Sequence, residues 1–96
     1  VESFVPFRRE LSIVVARGVD GAIASYPLVE NVHRHGILWT TTAPAPDVSA
    51  ALQVRAEGHA RALLERLGYV GVLAIELFER EDGELLVNEI APRVHN

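Results

Sequence analysis

Glu76 and Glu89 are the residues of this sequence best placed to do chemistry, because the dipeptide Asp82-Gly83 between them is its strongest short hairpin signal. Turn length decides which residues face one another in a hairpin. A two-residue Asp82-Gly83 turn sets Glu81 opposite Glu84 and, counting outward, Glu76 directly opposite Glu89. Opposed side chains have Cβ atoms about 4.5–5.5 Å apart, and like charges there destabilise the sheet unless something offsets them. A divalent cation is the natural offset. Magnesium is commonly held by one or two carboxylates together with substrate phosphates, so the chemistry implied is phosphoryl transfer. A four-residue loop leaves Glu89 opposite Ala74, diagonal to Glu76 but on the same face, and a three-residue loop separates the two carboxylates. The bland alternative is a pair of glutamates on the wet side of a half-exposed sheet. Val72, Ala74 and Phe78, which share a face with Glu76, favour the functional pair, since an apolar neighbourhood makes an unneutralised carboxylate expensive.

The elements that must position this pair follow from periodicity. Glu10 to Ala16 alternate, with Leu11, Ile13 and Val15 on one side, as expected of a strand. Asp20-Gly21 supplies a turn, and Ala22 to Leu28 is expected to return as a second strand, followed by Val29 to His33 and, after His35-Gly36, by Ile37 to Thr42 in an antiparallel meander. Two prolines, Pro44 and Pro46, delay the helix until Asp47 or Ser49 can cap it. Leu52, Ala56, Ala60, Leu63 and Leu67 form its apolar stripe and Gly68 its C-terminal cap. From Tyr69 the alternation has period 2 again, with Val70, Val72, Ala74, Glu76 and Phe78 on one face and Leu73, Ile75 and Leu77 on the other, and Leu85 to Ile90 returns beside it. With both faces mostly apolar, the strand from Tyr69 is expected to be central. The fold class is α+β, an antiparallel sheet with a packed helix.

Composition narrows the function. With 96 residues the chain supports one domain at most, and 49% hydrophobic with 23% charged residues is the make-up of a folded globular protein. The formal net charge is -4 and the nine basic residues are scattered, which argues against nucleic-acid binding. All nine are Arg, so a lysine for phosphate binding would have to come from outside this chain. Cysteine is absent, excluding disulfides and thiolate metal sites. No apolar run approaches the roughly 18 residues of a membrane span and no signal peptide is recognisable, so a cytoplasmic location without membrane partners is expected.

Asn88-Glu89-Ile90-Ala91-Pro92-Arg93-Val94-His95-Asn96 closely resembles the signature of the 5-(carboxyamino)imidazole ribonucleotide synthetases, a family of the ATP-grasp superfamily. Tyr26 to His33, His35 to Leu38 and Gly68 to Glu76 resemble the same family in the same order, so the likeness covers nearly the whole chain. The resemblance implies that residues 1–96 are the nucleotide- and magnesium-binding half of an ATP-grasp domain, without the N-terminal substrate domain and the C-terminal domain, and inactive alone. It implies ATP and Mg2+, with Mn2+ as a substitute, and small-molecule substrates: ATP, bicarbonate and aminoimidazole ribonucleotide. It allows a homodimeric parent. Glu76 and Glu89 would hold the metal. Glu2, Ser3, Phe4 and Val5 would lie beside the adenine, Glu10 would accept from the ribose hydroxyls, and His33, Asn88 and Glu89 would border the nucleotide. Strict alternation points Asn88 away from the face of Glu89 unless the strand bulges or ends there. Arg93 and His95 would be catalytic and, with Asn96, substrate-binding. The activity implied is ATP-dependent carboxylation of aminoimidazole ribonucleotide through carboxyphosphate. Another ATP-grasp ligase, such as a biotin carboxylase-like enzyme, or a non-catalytic nucleotide-binding module, are the alternatives.

Overall fold

The computed structural model describes residues 7–93. Six strands and one helix follow in the order β1 (Phe7–Arg17), β2 (Ile23–Ser25), β3 (Val29–Arg34), β4 (Ile37–Thr42), α1 (Ala50–Leu67), β5 (Gly71–Arg80) and β6 (Leu85–Arg93). All strand pairings are antiparallel, and the sheet runs β4-β3-β1-β5-β6 with β2 beside β1.

Alternation divides this sheet into two different faces. Leu11, Ile13 and Val15 of β1 lie opposite Leu77, Ile75 and Leu73 of β5, and all six are 0–1% exposed. Helix α1 covers them with Leu52, Ala56, Ala60 and Leu64. The small Ala56 and Ala60 allow the helix to come close to the sheet. The stripe differs from the expected one at its end: Leu64 is the deeply buried residue, Leu63 is half-buried and Leu67 is exposed. Steps of four advance about 40° each around a helix of roughly 3.6 residues per turn, so the line of contact winds slowly around α1 and reaches Leu64 instead of Leu63 and Leu67.

Ser49 is the cap, its side chain accepting from the Leu52 backbone N–H at 3.0 Å. Gly68, at φ 60°, ends the helix in the left-handed conformation that glycine tolerates. Gln53 ties the helix to the corner between β2 and β3, accepting from Leu28 N at 3.1 Å and donating to Tyr26 O at 3.3 Å.

The expected meander is corrected at β2. Ile23–Ser25 is a three-residue strand, and both it and β3 pair with β1 rather than with each other. Pro27 falls between them, has no N–H for a ladder bond, and the expected second strand ends short of it at Ser25. Strand β5 is flanked by β1 and β6, the central place its two apolar faces require. At the other edge β6 continues through Pro92 to Arg93, beyond the expected end at Ile90, as an outer strand can.

Candidate functional site

The uncovered face of the sheet carries the polar residues. Glu10 and Ser12 project from β1 on the side opposite Leu11 and Ile13, and the ladders set them beside Asn31 and Val29 of β3, and beside Phe78 and Glu76 of β5. Glu76 in turn lies directly opposite Glu89 of β6. The two carboxylates therefore share one surface, the outcome expected from the sequence.

The path to that outcome is different from the one expected. The β5–β6 connection is a three-residue loop, Glu81-Asp82-Gly83, closed by Arg80 N to Glu84 O at 2.8 Å and Gly83 N to Arg80 O at 3.0 Å. Gly83 sits at φ 90°, as the third residue of such loops does when a left-handed glycine follows a type I turn. This loop alone would send Glu89 to the helix side. A β-bulge restores it: Leu77 pairs with Val87 but Glu76 pairs with Glu89, leaving Asn88 as the extra residue. Two departures from the simple hairpin cancel. The same bulge frees Asn88 from strict alternation.

Among the described residues neither Glu76 nor Glu89 takes part in an ion pair, and no cluster of three or more His, Asp or Glu side chains surrounds them. Two opposed, unneutralised carboxylates fit magnesium. Glu76 and Glu89 would supply the one or two carboxylates that such a cation commonly takes from a protein, with phosphates supplying further oxygens. Glu76 is half-buried and Glu89 exposed, so the pair opens to the uncovered surface of the sheet.

Glu10 and His33 are brought together, with His33 Nδ1 2.9 Å from Glu10 Oε2 and side-chain exposures of 36% and 22%. The β3–β4 ladder is itself bulged between Val32 and His33. Arg93 is the last residue of β6, opposite Val72, rather than a residue beyond the strand. Glu2, Ser3, Phe4, Val5, His95 and Asn96 lie outside the described residues.

Sequence reasoning missed a row of polar side chains. Thr41 Oγ1 donates to Asn31 Oδ1 at 3.0 Å, and Asn31 Nδ2 donates to Ser12 Oγ at 2.6 Å. Alternation in β1 placed Ser12 on the face of Glu10, but the partners sit on β3 and β4, whose register no local pattern reveals. Ser12 also lines a cavity of about 400 Å3 with Val14, Ala16, Val29 and Val72 on this open face.

Comparison with known proteins identifies the family and the fold. The sequence profile of the ATP-grasp domain matches residues 1–96. N5-carboxyaminoimidazole ribonucleotide synthase of Vibrio parahaemolyticus is 56% identical over 96 residues, which are 99% of this chain and 24% of that protein. The crystal structure of N5-carboxyaminoimidazole ribonucleotide synthetase from Thermus thermophilus superposes with a TM-score of 0.91 at 56% identity, covering 98% of this chain and 26% of that one. N5-carboxyaminoimidazole synthase from Aspergillus clavatus, solved with ADP and 5-aminoimidazole ribonucleotide, gives a TM-score of 0.82 at 35% identity, over 97% of this chain and 25% of that one. The chain thus spans about a quarter of the length of the curated relative it matches.

Proposed function

We propose, from the premise that this chain belongs to the ATP-grasp family, that it is the nucleotide- and cation-holding part of a ligase that carboxylates 5-aminoimidazole ribonucleotide at the expense of ATP. The observation that carries the proposal is the facing of Glu76 and Glu89 on the open surface of the sheet. The likeness to carboxyaminoimidazole ribonucleotide synthases supports the acceptor.

In this reading ATP phosphorylates bicarbonate, ADP leaves, and the resulting carboxyphosphate gives its carboxyl group to the exocyclic amine of aminoimidazole ribonucleotide with release of phosphate. Glu76 and Glu89 hold magnesium, which when bound neutralises charge on the phosphates. Glu10, steadied by His33, accepts from the ribose hydroxyls, and the family resemblance assigns Glu2, Ser3, Phe4 and Val5 to the adenine. Asn88 borders the nucleotide from the bulge. By the same resemblance Arg93, His95 and Asn96 are assigned to the acyl-phosphate and the aminoimidazole ribonucleotide, where the planar fork of an arginine suits spread oxyanion charge. Packing of substrates against the sheet keeps water from the labile carboxyphosphate. No helix is long and apolar enough to cross a membrane. A cytoplasmic enzyme acting on small molecules is the reading we adopt.

The test is Glu76→Gln and Glu89→Gln in the full-length parent protein, with ATP turnover dependent on aminoimidazole ribonucleotide measured at saturating magnesium. Each should lower turnover by about 10²-fold or more, the scale on which a lost electrostatic contact to the reacting group is felt. Wild-type turnover in both variants removes the metal assignment. Turnover by the unaltered protein that depends on a different acceptor removes the substrate assignment instead.

A further inference from the structure

We infer that Ser12 is a positioning residue for Glu76, holding its carboxylate by a hydrogen bond that the row Thr41–Asn31–Ser12 aims across the sheet. The inference rests on the proposal that Glu76 and Glu89 hold a divalent cation, and adds to it a residue that touches neither cation nor nucleotide.

The row runs in one direction. Thr41 on β4 donates to the Asn31 carbonyl oxygen at 3.0 Å, which fixes the Asn31 amide with its NH2 toward β1. That group donates to Ser12 Oγ at 2.6 Å, a close contact with both side chains partly buried. Ser12 therefore acts as acceptor toward β3, and among the described residues its hydroxyl makes no second hydrogen bond. A serine hydroxyl has one proton to give. Chains of donors polarise each member, so the proton at the end of this one is a better donor than that of an isolated serine.

The ladders define where the proton can go. On the open face Ser12 has Val29 opposite on β3 and Glu76 opposite on β5, with Glu10 and Val14 two residues away on its own strand. Val29 and Val14 accept nothing, and Glu10, one of whose oxygens is engaged by His33, stands two residues along the same strand, farther from Ser12 than the directly opposed Glu76. Glu76 remains. Directly opposed Cβ atoms about 4.5–5.5 Å apart allow the Glu76 carboxylate, by rotation of its own side chain, to reach the Ser12 hydroxyl while Oγ keeps its bond from Asn31. With one Glu76 oxygen held by Ser12, the other is directed toward Glu89 and the shared cation. Ligating carboxylates are commonly steadied by such outer hydrogen bonds, whose loss typically weakens metal binding about 10–100-fold.

The row thereby links all five strands of the main sheet path, from β4 through β3, β1 and β5 to the cation partner on β6. It explains why a serine, rather than another valine, interrupts the apolar run Val14, Ala16, Val29 and Val72 that lines the neighbouring cavity.

The experiment is a titration of the full-length protein with Mn2+ in the presence of ADP, free Mn2+ being read by electron paramagnetic resonance. ADP affinity without metal and the melting temperature serve as controls. Ser12→Ala should raise the Mn2+ dissociation constant about tenfold or more, leave both controls unchanged, and be rescued by Ser12→Thr, which restores the hydroxyl. Should the alanine variant fold poorly, Ser12→Cys, nearly isosteric but a weak donor, should weaken Mn2+ binding in the same way. A Mn2+ affinity unchanged by both Ser12→Ala and Ser12→Cys, with a large loss in Glu76→Gln, overturns the inference and leaves the carboxylate pair standing. An affinity unchanged by Glu76→Gln as well overturns the cation site itself. A fall in melting temperature without a change in Mn2+ affinity makes Ser12 structural only and likewise overturns the inference.

Discussion

Arg9 and Glu79 close an ion pair across the β1–β5 ladder, with Arg9 Nε 2.6 Å from Glu79 Oε1 and side-chain exposures of 9% and 7%. The pair lies on the helix side, opposite the face that carries Glu10 and Glu76. Arg9 also donates to the backbone oxygens of Pro46 and Asp47, so one guanidinium ties two strands to the segment that leads into α1. Removing one member strands the other charge in a nearly dry place. Glu79→Ala and Arg9→Ala should each destabilise the fold by about 3–5 kcal/mol in urea denaturation. The double change Arg9→Met with Glu79→Leu should recover much of that loss.

The contact between His33 and Glu10 carries a different expectation, because both groups are partly open to solvent. His33→Ala removes the group that steadies the proposed ribose acceptor. Losing one hydrogen bond of about 1 kcal/mol should weaken ATP binding roughly fivefold. Melting temperature should stay within the error of measurement. Isothermal titration with a non-hydrolysable ATP analogue checks both parts, and unchanged affinity would detach His33 from the nucleotide.

The turn from β3 to β4 has both central residues at positive φ, His35 at 55° and Gly36 at 77°. That is the shape of a type I′ turn, which favours Asn-Gly. An exposed histidine gains nothing from the left-handed region. His35→Asn should therefore stabilise the protein by about 0.5–1 kcal/mol, within the range of single favourable surface changes, and is read out by thermal unfolding.

Gly83 at φ 90° has open space where a Cβ would stand. Gly83→Ala should then destabilise through the backbone alone, by about 1–2 kcal/mol. The same substitution should not abolish cation binding, since the bulge at Asn88 lies between the loop and Glu89.

Ala56 and Ala60 are 0% and 1% exposed beneath the helix. Ala56→Leu should push α1 off the sheet and destabilise by about 1–3 kcal/mol. Its effect on nucleotide binding should be small at temperatures where the protein remains folded, because the site is on the other face.

What could be read from the sequence is what repeats at short range. Alternation of Leu11, Ile13 and Val15, and of Leu73, Ile75 and Leu77, was enough to place β1 and β5 and assign their buried faces. Gly68 marked one helix end, and the other was narrowed to Asp47 or Ser49, of which Ser49 is the cap. The facing of Glu76 and Glu89 was also expected, but from a two-residue turn that the chain does not use. Glu81-Asp82-Gly83 and the bulge at Asn88 each shift the register by one, and neither leaves a mark in local hydropathy. Non-local pairing was the blind spot elsewhere too. That the strand before Pro27 would be cut to three residues, and that β2 and β3 would both pair with β1, depends on which neighbour the chain chooses after the break. The contacts Thr41–Asn31–Ser12 and Arg9–Glu79 join residues far apart in sequence, so only the assembled sheet brings them together.

The bulge at Asn88 also imposes a rule on how this segment can change length over time. Any insertion or deletion of a single amino acid between the two acidic positions flips one of them to the buried side, whereas losing Asn88 itself merely straightens the strand and keeps them level. Descendants of this hairpin should therefore vary in steps of two, drop the bulge residue, or trade one turn residue for another bulge, and any other odd change would part the two acidic positions onto opposite faces.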